Sequence, residues 1–390
     1  MAYRGVDYYG IDDLLTEEER LIRDSFRRFV DEELMGIVAG HFRAGTFPEW
    51  LPKRLGAMGA LGAKIQGYGC AGLGAVAYGL ILQELERCDS GFRSFASVQG
   101  SLVMYPIYTF GSDAQKDKWL PRMATGEAIG CFGLTEPDFG SNPAGMRTTA
   151  KRVKGGWLLN GAKRWITSGG ISDVAVVWAR SDEEKTPIRG FLVERGTPGF
   201  KVHNIEGKFS LRASVTSELV FEDCLIPEDA MLPGAQGLRA PLSCLDEARF
   251  GIAWGALGAA QACYDEALSF AKERVQFKKP IAGYQLVQLK LVDMLEDITK
   301  GQLLAWRLGR LKEEGKIRAQ QVSLAKRHNV RIALHAARTA RDVLGANGIT
   351  DEYQSGRHSC NLESVFTYEG TDHIHTLVVG HDITGIPAFE

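Results

Sequence analysis

Apolar residues recur at helical spacing through the first third of the chain. Thr16 stands three positions before Glu19, the pattern of a capping box, and apolar residues follow on one helical face at positions 21, 22, 26, 29 and 30. A second helix is predicted over residues 78–87, followed by the helix-stopping residues Asp89, Ser90 and Gly91. Residues 1–130 are therefore predicted to form an α-helical domain.

The pattern changes to that of β-strands after residue 131. Gly155-Gly156 and Asn160-Gly161 are turn dipeptides that flank the short apolar segment 157–159, which predicts a hairpin. Three further runs rich in β-branched and apolar residues lie at 174–179, 188–193 and 219–226. We therefore predict a β domain over residues 131–236.

Helical spacing returns after Gly237, over residues 252–275, 286–312 and 322–344, and Gly345 ends the last of these stretches. A chain of 390 residues is long for one hydrophobic core, so several packed domains are expected. We predict an α+β fold with three parts: an N-terminal α domain (1–130), a middle β domain (131–236) and a C-terminal four-helix bundle (237–390).

Charge, apolar run length and cysteine usage exclude several classes of protein. The chain has 46 Lys and Arg against 48 Asp and Glu and no basic stripe, which argues against a nucleic-acid partner. Its longest apolar stretch, residues 71–82, is well short of the roughly 20 residues that span a bilayer. The seven scattered cysteines form no Cys-x-x-Cys pair, so neither disulfides nor a structural zinc are expected. The N-terminal residues resemble no signal or transit peptide, so we expect a bacterial cytoplasmic chain, or a mature chain of the mitochondrial matrix.

Two segments of the β domain carry residues suited to binding, and each also has an ordinary interpretation. The loop 131–141 offers the hydroxyls of Thr135 and Ser141 to an anion or a heterocycle, although many surface loops have this composition. Trp165 and Thr167 would place an aromatic face beside a hydroxyl, although a lone tryptophan is more often a core residue.

Glu369 is the candidate catalytic base. A lone glutamate is usually a solvated surface charge, but in a dry pocket its pKa would rise toward neutrality, where proton abstraction is most efficient. Arg93 follows the predicted helix stop, where its ordinary interpretation is a solvent-facing arginine at a helix C-cap. His373 and His375 have no acid or cysteine cluster around them, and no metal site is expected.

Five motifs, in this order, resemble the acyl-CoA dehydrogenase family. They lie at 132–137 (FGLTEP), 165–167 (WIT), 274–277 (RVQF), 341–349 (RDVLGANGI) and 368–371 (YEGT). Four further segments are most similar to glutaryl-CoA dehydrogenases: 91–94 (GFRS), 207–213 (GKFSLRA), 249–254 (RFGIAW) and 384–389 (TGIPAF). The resemblance covers nearly the whole chain.

The resemblance implies a homotetramer that binds FAD between the β domain and the C-terminal helices. The residues that it places against FAD are Leu134, Thr135, Ser141, Trp165, Thr167, Arg274, Phe277, Gly345, Gly348 and Thr371. Among these, Trp165 and Thr167 would contact the flavin near its reactive N5. Arg274 and Phe277 would reach the adenine half of an FAD held by a neighbouring subunit.

The resemblance also implies the chemistry. Glu369 would remove an α-proton of an acyl-CoA thioester while a β-hydride passes to FAD, which gives a trans-2-enoyl-CoA. The α-proton is too weakly acidic for an unaided carboxylate, so the amide of Glu369 and a ribityl hydroxyl of FAD would stabilise the enolate. An electron-transfer flavoprotein is the expected electron acceptor, although nothing in the chain excludes re-oxidation by oxygen.

For glutaryl-CoA, the distant carboxylate would meet Arg93 through two parallel hydrogen bonds, and Ser94 would add a donor. Glu86 would compete for Arg93 once the product dienolate forms, and together with Tyr368 it would help to release CO2 and leave crotonyl-CoA. Arg249 is a further expected substrate-binding residue. A role in the degradation of lysine, tryptophan or aromatic compounds is also implied.

The chain departs from the usual family pattern at Asn142, Gly169, Phe366 and the order Asp372-His373. Gly169 is expected to remove a hydroxyl from the pocket wall, and the exchange at 372–373 to change the surroundings of the flavin. Three alternatives stay open: a non-decarboxylating glutaryl-CoA dehydrogenase, a dehydrogenase of another short-chain or diacid acyl-CoA, and an inactive acyl-CoA-binding protein on the same fold.

Overall fold

Helices make up the N-terminal part of the computed structural model, which describes residues 3, 5–182 and 187–388. They are α1 (Glu17–Phe29), α2 (Met35–Ala44), α3 (Leu51–Ala57), α4 (Ala75–Cys88), α5 (Ser90–Ser97), α6 (Tyr105–Phe110) and α7 (Asp113–Ala124). Helix α1 begins at the predicted capping box, where the Thr16 side chain accepts from the Glu19 amide and the Glu19 carboxylate accepts from the Thr16 amide. Helices α4 and α5 are buried along their whole length and form the centre of this part.

The predicted helix stop at Asp89 is also a helix start. Helix α4 ends at Cys88, and the Asp89 side chain accepts from the Gly91 amide at 2.7 Å and so caps α5. Arg93 therefore lies on a second helix and is completely buried, and its interpretation as a solvent-facing C-cap residue is wrong.

The middle of the chain forms one sheet among the described residues. Its strands are β1 (Gly130–Gly133), β2 (Thr149–Val153), β3 (Gly156–Thr167), β4 (Val174–Ser181), β5 (Ile188–Glu194), β6 (Phe200–Asn204) and β7 (Thr216–Ile226). The order is β1-β4-β2-β3-β7-β6, and β5 also pairs with β4. Strand β4 runs parallel to β1 and β2, and the other pairs are antiparallel. The three β-rich runs of the sequence became β4, β5 and β7.

Asn160-Gly161 is not the turn that the sequence predicts. Both residues lie inside β3, where the pairing with β7 shifts register between Leu159 and Gly161. A Cβ atom on Gly161 would lie 2.5 Å from the Thr148 hydroxyl oxygen, so only glycine allows β3 to approach Thr148 this closely. Its φ of 145° is also a backbone conformation that favours glycine. The hairpin turn between β2 and β3 lies at Lys154-Gly155, one residue before the predicted Gly155-Gly156, since Gly156 already pairs with Val153.

The C-terminal part is helical, as predicted, with α8 (Arg239–Glu273), α9 (Gln285–Glu313), α10 (Ala319–Val343), α11 (Ser355–Thr367) and α12 (Asp372–Thr384). A short hairpin, β8 (Val275–Gln276) and β9 (Lys279–Pro280), joins α8 to α9. Helix α8 packs closely on α4, since a Cβ atom on Gly258 would lie 1.9 Å from the Gln83 carbonyl oxygen. In the described part of the chain, no helix combines the length and apolarity needed to cross a membrane. Phe389, the last residue of the segment 384–389, lies outside the described residues.

Candidate functional site

A cavity of about 1200 Å³ lies where the β domain meets helices from both ends of the chain. It is larger than the roughly 300–1,000 Å³ of most small-molecule sites, so it has room for a large ligand. The residues expected from the sequence that line it are Ser94, Leu134, Thr135, Ser141, Trp165, Thr167, Arg249, Tyr368, Glu369 and Thr371. The fold thus brings together segments up to 277 positions apart in the sequence, from Ser94 to Thr371.

Glu369 lies on the cavity wall, in the short loop between α11 and α12. Its Oε2 atom is buried and makes no hydrogen bond with any described residue. Burial raises the pKa of this carboxyl above its ordinary value, although the positive charges of Arg93, Lys326 and Arg249 oppose the shift. Glu369 is therefore not a solvated surface charge, because a carboxylate free of partners faces a cavity that would hold a ligand.

The backbone around Glu369 is held by two cations. Glu369 has φ 52°, a left-handed conformation that is uncommon for a residue with a side chain. The Arg249 Nε atom donates to the Glu369 carbonyl at 2.7 Å, and the Lys326 Nζ atom donates to the carbonyls of Tyr368 and Gly370 at 2.6 Å each. Arg249 was expected to bind substrate, and its Nε atom instead supports the loop while the residue also lines the cavity.

Sequence reasoning missed Lys326. It lies four residues after Val322 and four before Val330, on the buried face of α10, and it is 1% exposed. A lysine on an apolar helical face is the signal that could have identified it.

A buried ion pair lies behind the wall at Tyr368 and Ser94. The Arg93 Nε atom donates to Glu86 Oε2 at 2.5 Å, and neither side chain has any exposed surface. Arg93 Nη2 donates to the Tyr368 hydroxyl, which lies 3.1 Å from Ser94 Oγ, while Nη1 has no partner among the described residues. The pair fits against α8 at Gly255, where a Cβ atom would lie 2.1 Å from Glu86 Oε2.

The pair fixes the charge state of its neighbours. Burial disfavours the charged guanidinium, but Glu86 and Tyr368 outweigh burial and the pKa of Arg93 is raised. Burial also raises the pKa of Tyr368 to about 12, so this phenol stays neutral and can donate. A permanent cation with a free NH2 group at Nη1, beside a neutral phenol and a serine hydroxyl, is a suitable partner for a carboxylate.

The opposite wall offers an aromatic surface. Trp165 is 57% exposed in the single chain, with φ 63°, and its interpretation as a core residue is wrong. Thr167 and the loop from Leu134 to Ser141 line the cavity beside it. The loop is braced from below by Lys163, whose Nζ atom donates to the Leu134 carbonyl at 3.1 Å and to Glu136 Oε1 at 2.8 Å. An exposed indole, hydroxyls and a braced loop fit a planar heterocycle such as a flavin.

Four of the expected FAD residues lie away from this cavity. Arg274 and Phe277 belong to the β8–β9 hairpin region, where Phe277 is 89% exposed. Gly345 and Gly348 follow α10, and a Cβ atom on Gly348 would lie 2.4 Å from the Arg341 carbonyl oxygen. The small size of Gly348 is thus needed for packing within the chain, whatever else it contacts.

Two of the positions at which the sequence departs from the family pattern do not line the cavity. A Cβ atom on Gly169 would meet the Ser217 Cβ at 2.8 Å, so no hydroxyl is missing from the wall there. Asp372 is buried in an ion pair with Arg331, and His373 is exposed outside the cavity lining. Asn142, by contrast, does line the cavity.

Comparison with known proteins identifies relatives over the whole chain. The N-terminal, middle and C-terminal domain models of acyl-CoA dehydrogenases match residues 16–127, 131–224 and 235–384. The human mitochondrial short-chain specific acyl-CoA dehydrogenase is 36% identical over 373 residues, 94% of this chain and 90% of that protein.

Two solved structures of Mycobacterium smegmatis proteins are more similar. A glutaryl-CoA dehydrogenase in complex with FADH2 is 54% identical, with a TM-score of 0.97 and 99% of each chain covered. A second glutaryl-CoA dehydrogenase structure is 56% identical, with a TM-score of 0.97 and 100% of each chain covered.

Proposed function

The chain belongs to the acyl-CoA dehydrogenase family, and from this premise we propose that it oxidises glutaryl-CoA with FAD and decarboxylates the product to crotonyl-CoA and CO2. The observation that carries the choice of substrate is the buried Arg93–Glu86 pair behind Tyr368 and Ser94. A monocarboxylic acyl chain has no group that needs such a cation. The glutaryl-CoA dehydrogenases that are 54–56% identical support the same choice.

Glu369 is proposed as the base. Its carboxylate would take the α-proton of the thioester, and its raised pKa lets it hold that proton while the rest of the reaction proceeds. The Glu369 amide would donate to the thioester carbonyl and stabilise the developing enolate. When bound along the Leu134–Ser141 loop and Trp165, FAD would supply the acceptor for the β-hydride.

The second step depends on the far end of the acyl chain. Arg93 would hold the distant carboxylate through its free Nη1 atom, with the Ser94 and Tyr368 hydroxyls as further donors. Glu86 accepts a hydrogen bond from the same guanidinium at 2.5 Å, so it would compete with the substrate's distant carboxylate for Arg93 when the product forms. The C–C bond then breaks with loss of CO2, and the electron pair that remains accepts a proton from Glu369.

Exposed apolar residues support the proposed assembly. Phe277, Leu286, Leu289 and Val292 are exposed apolar residues near the start of α9, and a homotetramer would cover them and bring Arg274 and Phe277 to the adenine half of a neighbour's FAD. An electron-transfer flavoprotein as acceptor, domain boundaries near residues 130 and 236, and a bacterial cytoplasmic location remain part of the proposal.

The test is anaerobic addition of glutaryl-CoA to the purified holoenzyme. Bleaching of the flavin band, with crotonyl-CoA and CO2 as products by mass spectrometry, is expected. Accumulation of glutaconyl-CoA without crotonyl-CoA would favour a non-decarboxylating enzyme. Faster turnover of butyryl-CoA than of glutaryl-CoA would favour a short-chain dehydrogenase, the activity in the name of the 36% identical relative. A colourless protein would indicate an inactive binding protein.

A further inference from the structure

The loop that carries Glu369 presents three consecutive backbone carbonyls to two cations, the buried Lys326 and the partly buried Arg249. Lys326 of α10 binds the carbonyls of residues 368 and 370, and Arg249 of α8 binds the carbonyl between them. Two helices thus hold the backbone of three consecutive residues, with Glu369 in the middle. The loop begins where α11 ends, and Thr371 caps α12 directly after it, so its length leaves little slack.

Such a loop needs support. Glu369 at φ 52° and Gly370 at φ 92° are both left-handed, and this conformation persists in a residue with a side chain only when the surroundings enforce it. The His375 ring of α12 packs against Gly370 and supports the loop on that side.

We propose that Lys326 is a positioning residue for the catalytic loop, whose ammonium group clamps the carbonyls on both sides of Glu369 and so directs that carboxylate into the cavity. The inference rests on the proposed role of Glu369 as the base. Lys326 does not line the cavity and is not expected to touch substrate.

The charge of Lys326 also acts on Glu369. The groups that face Lys326 are Glu369 and Tyr368 from the loop, Arg249 from α8, Arg93 from α5, and Asp372 and His375 from α12. Burial lowers the pKa of Lys326 to about 7, while Glu369 opposes this shift. In turn the Lys326 charge lowers the pKa of Glu369, against the larger effect of burial. Loss of that charge should therefore raise the pKa of Glu369.

The test compares Lys326→Met with Arg327→Met in the holoenzyme. Arg327 is the next residue of α10; it donates to Thr376 of α12 at 2.8 Å and lies 3.8 Å from Asp372, so its loss weakens the same helix packing and leaves the hydrogen bonds to the three loop carbonyls in place. For Lys326→Met we expect kcat to fall at least 30-fold with KM changed less than threefold, and the acid limb of the kcat/KM profile to move to higher pH. For Arg327→Met, kcat and the acid limb of the kcat/KM profile should both stay at wild-type values.

Hydrogen exchange gives a readout that does not need turnover. The amides of Tyr368, Ile374 and His375 are hydrogen-bonded at the two ends of the loop, and they should be protected in the wild type, lose protection in Lys326→Met and keep it in Arg327→Met. Lys326→Gln serves as a second variant should the methionine variant fail to fold, and the same results are expected.

Three results would overturn the inference. They are equal protection of the Tyr368, Ile374 and His375 amides in the wild type and in Lys326→Met, wild-type kcat in a folded Lys326 variant, and equal losses of kcat in the Lys326 and Arg327 variants. The kinetic comparison uses whichever acyl-CoA the wild type oxidises. Failure of glutaryl-CoA as substrate therefore refutes the proposed function and leaves this comparison intact.

Discussion

Removing Arg93 should damage both stability and substrate choice, in separable ways. In Arg93→Met the Glu86 carboxylate stays completely buried without its partner at 2.5 Å. Breaking a buried ion pair from one side costs about 3–5 kcal/mol, a large part of the roughly 5–15 kcal/mol that stabilises a typical fold. The double variant Glu86→Gln/Arg93→Met leaves no buried charge, so it should recover most of that loss.

The effect on substrate choice follows from the lost hydrogen bonds to the distant carboxylate. A hydrogen bond to a charged group contributes about 1.5–3 kcal/mol, which corresponds to about 10- to 150-fold in kcat/KM. Butyryl-CoA lacks the carboxylate and escapes this loss. The ratio of kcat/KM for glutaryl-CoA to that for butyryl-CoA should therefore fall by the same factor in Arg93→Met.

Urea unfolding and steady-state kinetics on both substrates measure the two effects. Arg54→Met is the matched control, because Arg54 pairs with Glu33 at the surface and its loss should cost about 0–1 kcal/mol without changing the substrate ratio. The reasoning is refuted if the single and double variants are equally unstable, or if the substrate ratio in Arg93→Met changes less than about threefold, well below the factor expected for a lost charged hydrogen bond.

Four further outcomes are expected. Glu369→Gln should lower kcat by about 10²–10⁴ while the flavin spectrum stays unchanged, and wild-type turnover should fall as the pH drops through the raised pKa of Glu369. Lys163→Met should leave a buried carboxylate unpaired, cost about 3–5 kcal/mol and lower the FAD-to-protein ratio after gel filtration. Gly255→Ala should lower the melting temperature, because the added methyl meets the carboxylate of the buried pair at 2.1 Å, whereas Gly40→Ala, with no atom within 4 Å, should not. Phe277→Asp should shift the assembly to smaller species in light scattering, with loss of FAD affinity.

Local patterns were sufficient for most helices and strands. The periodic stretch 322–344 corresponds to α10 (Ala319–Val343), and the run 188–193 to β5 (Ile188–Glu194), because apolar spacing is a property of neighbouring residues. The helix predicted from residue 252 begins thirteen residues earlier in the structure, where α8 starts at Arg239. Pro241 lies in the first turn of α8, where a proline is tolerated, but a proline in the sequence argues against a helix when its position within the helix is unknown.

The motifs identified the residues of the cavity walls, but not the burial of charges. Arg93 follows a helix stop in the sequence, and only the cap formed by Asp89 turns that stop into a second, buried helix. Lys326 binds carbonyls 42 and 44 residues away, and Lys163 binds a carboxylate 27 residues away. Such partners are not neighbours in the sequence, so no local pattern reports whether a lysine is solvated or buried.

The buried Lys163 and Lys326 and the partly buried Lys208 have a common task that explains their cost. Lys163 donates to the carbonyl of Leu134, Lys208 to that of Leu211, and Lys326 to those on both sides of Glu369, so each holds a loop that lines the cavity. Burial lowers the pKa of each, to about 8, 8 and 7 respectively, which means that the folded state works against the charged form. Apolar residues would stabilise the core better, but they cannot bind a carbonyl. Leu211 and Glu369 both have a positive φ, and a conformation of that kind needs an external partner for its backbone. The lysines therefore stabilise the shape of the cavity at the expense of the stability of the fold.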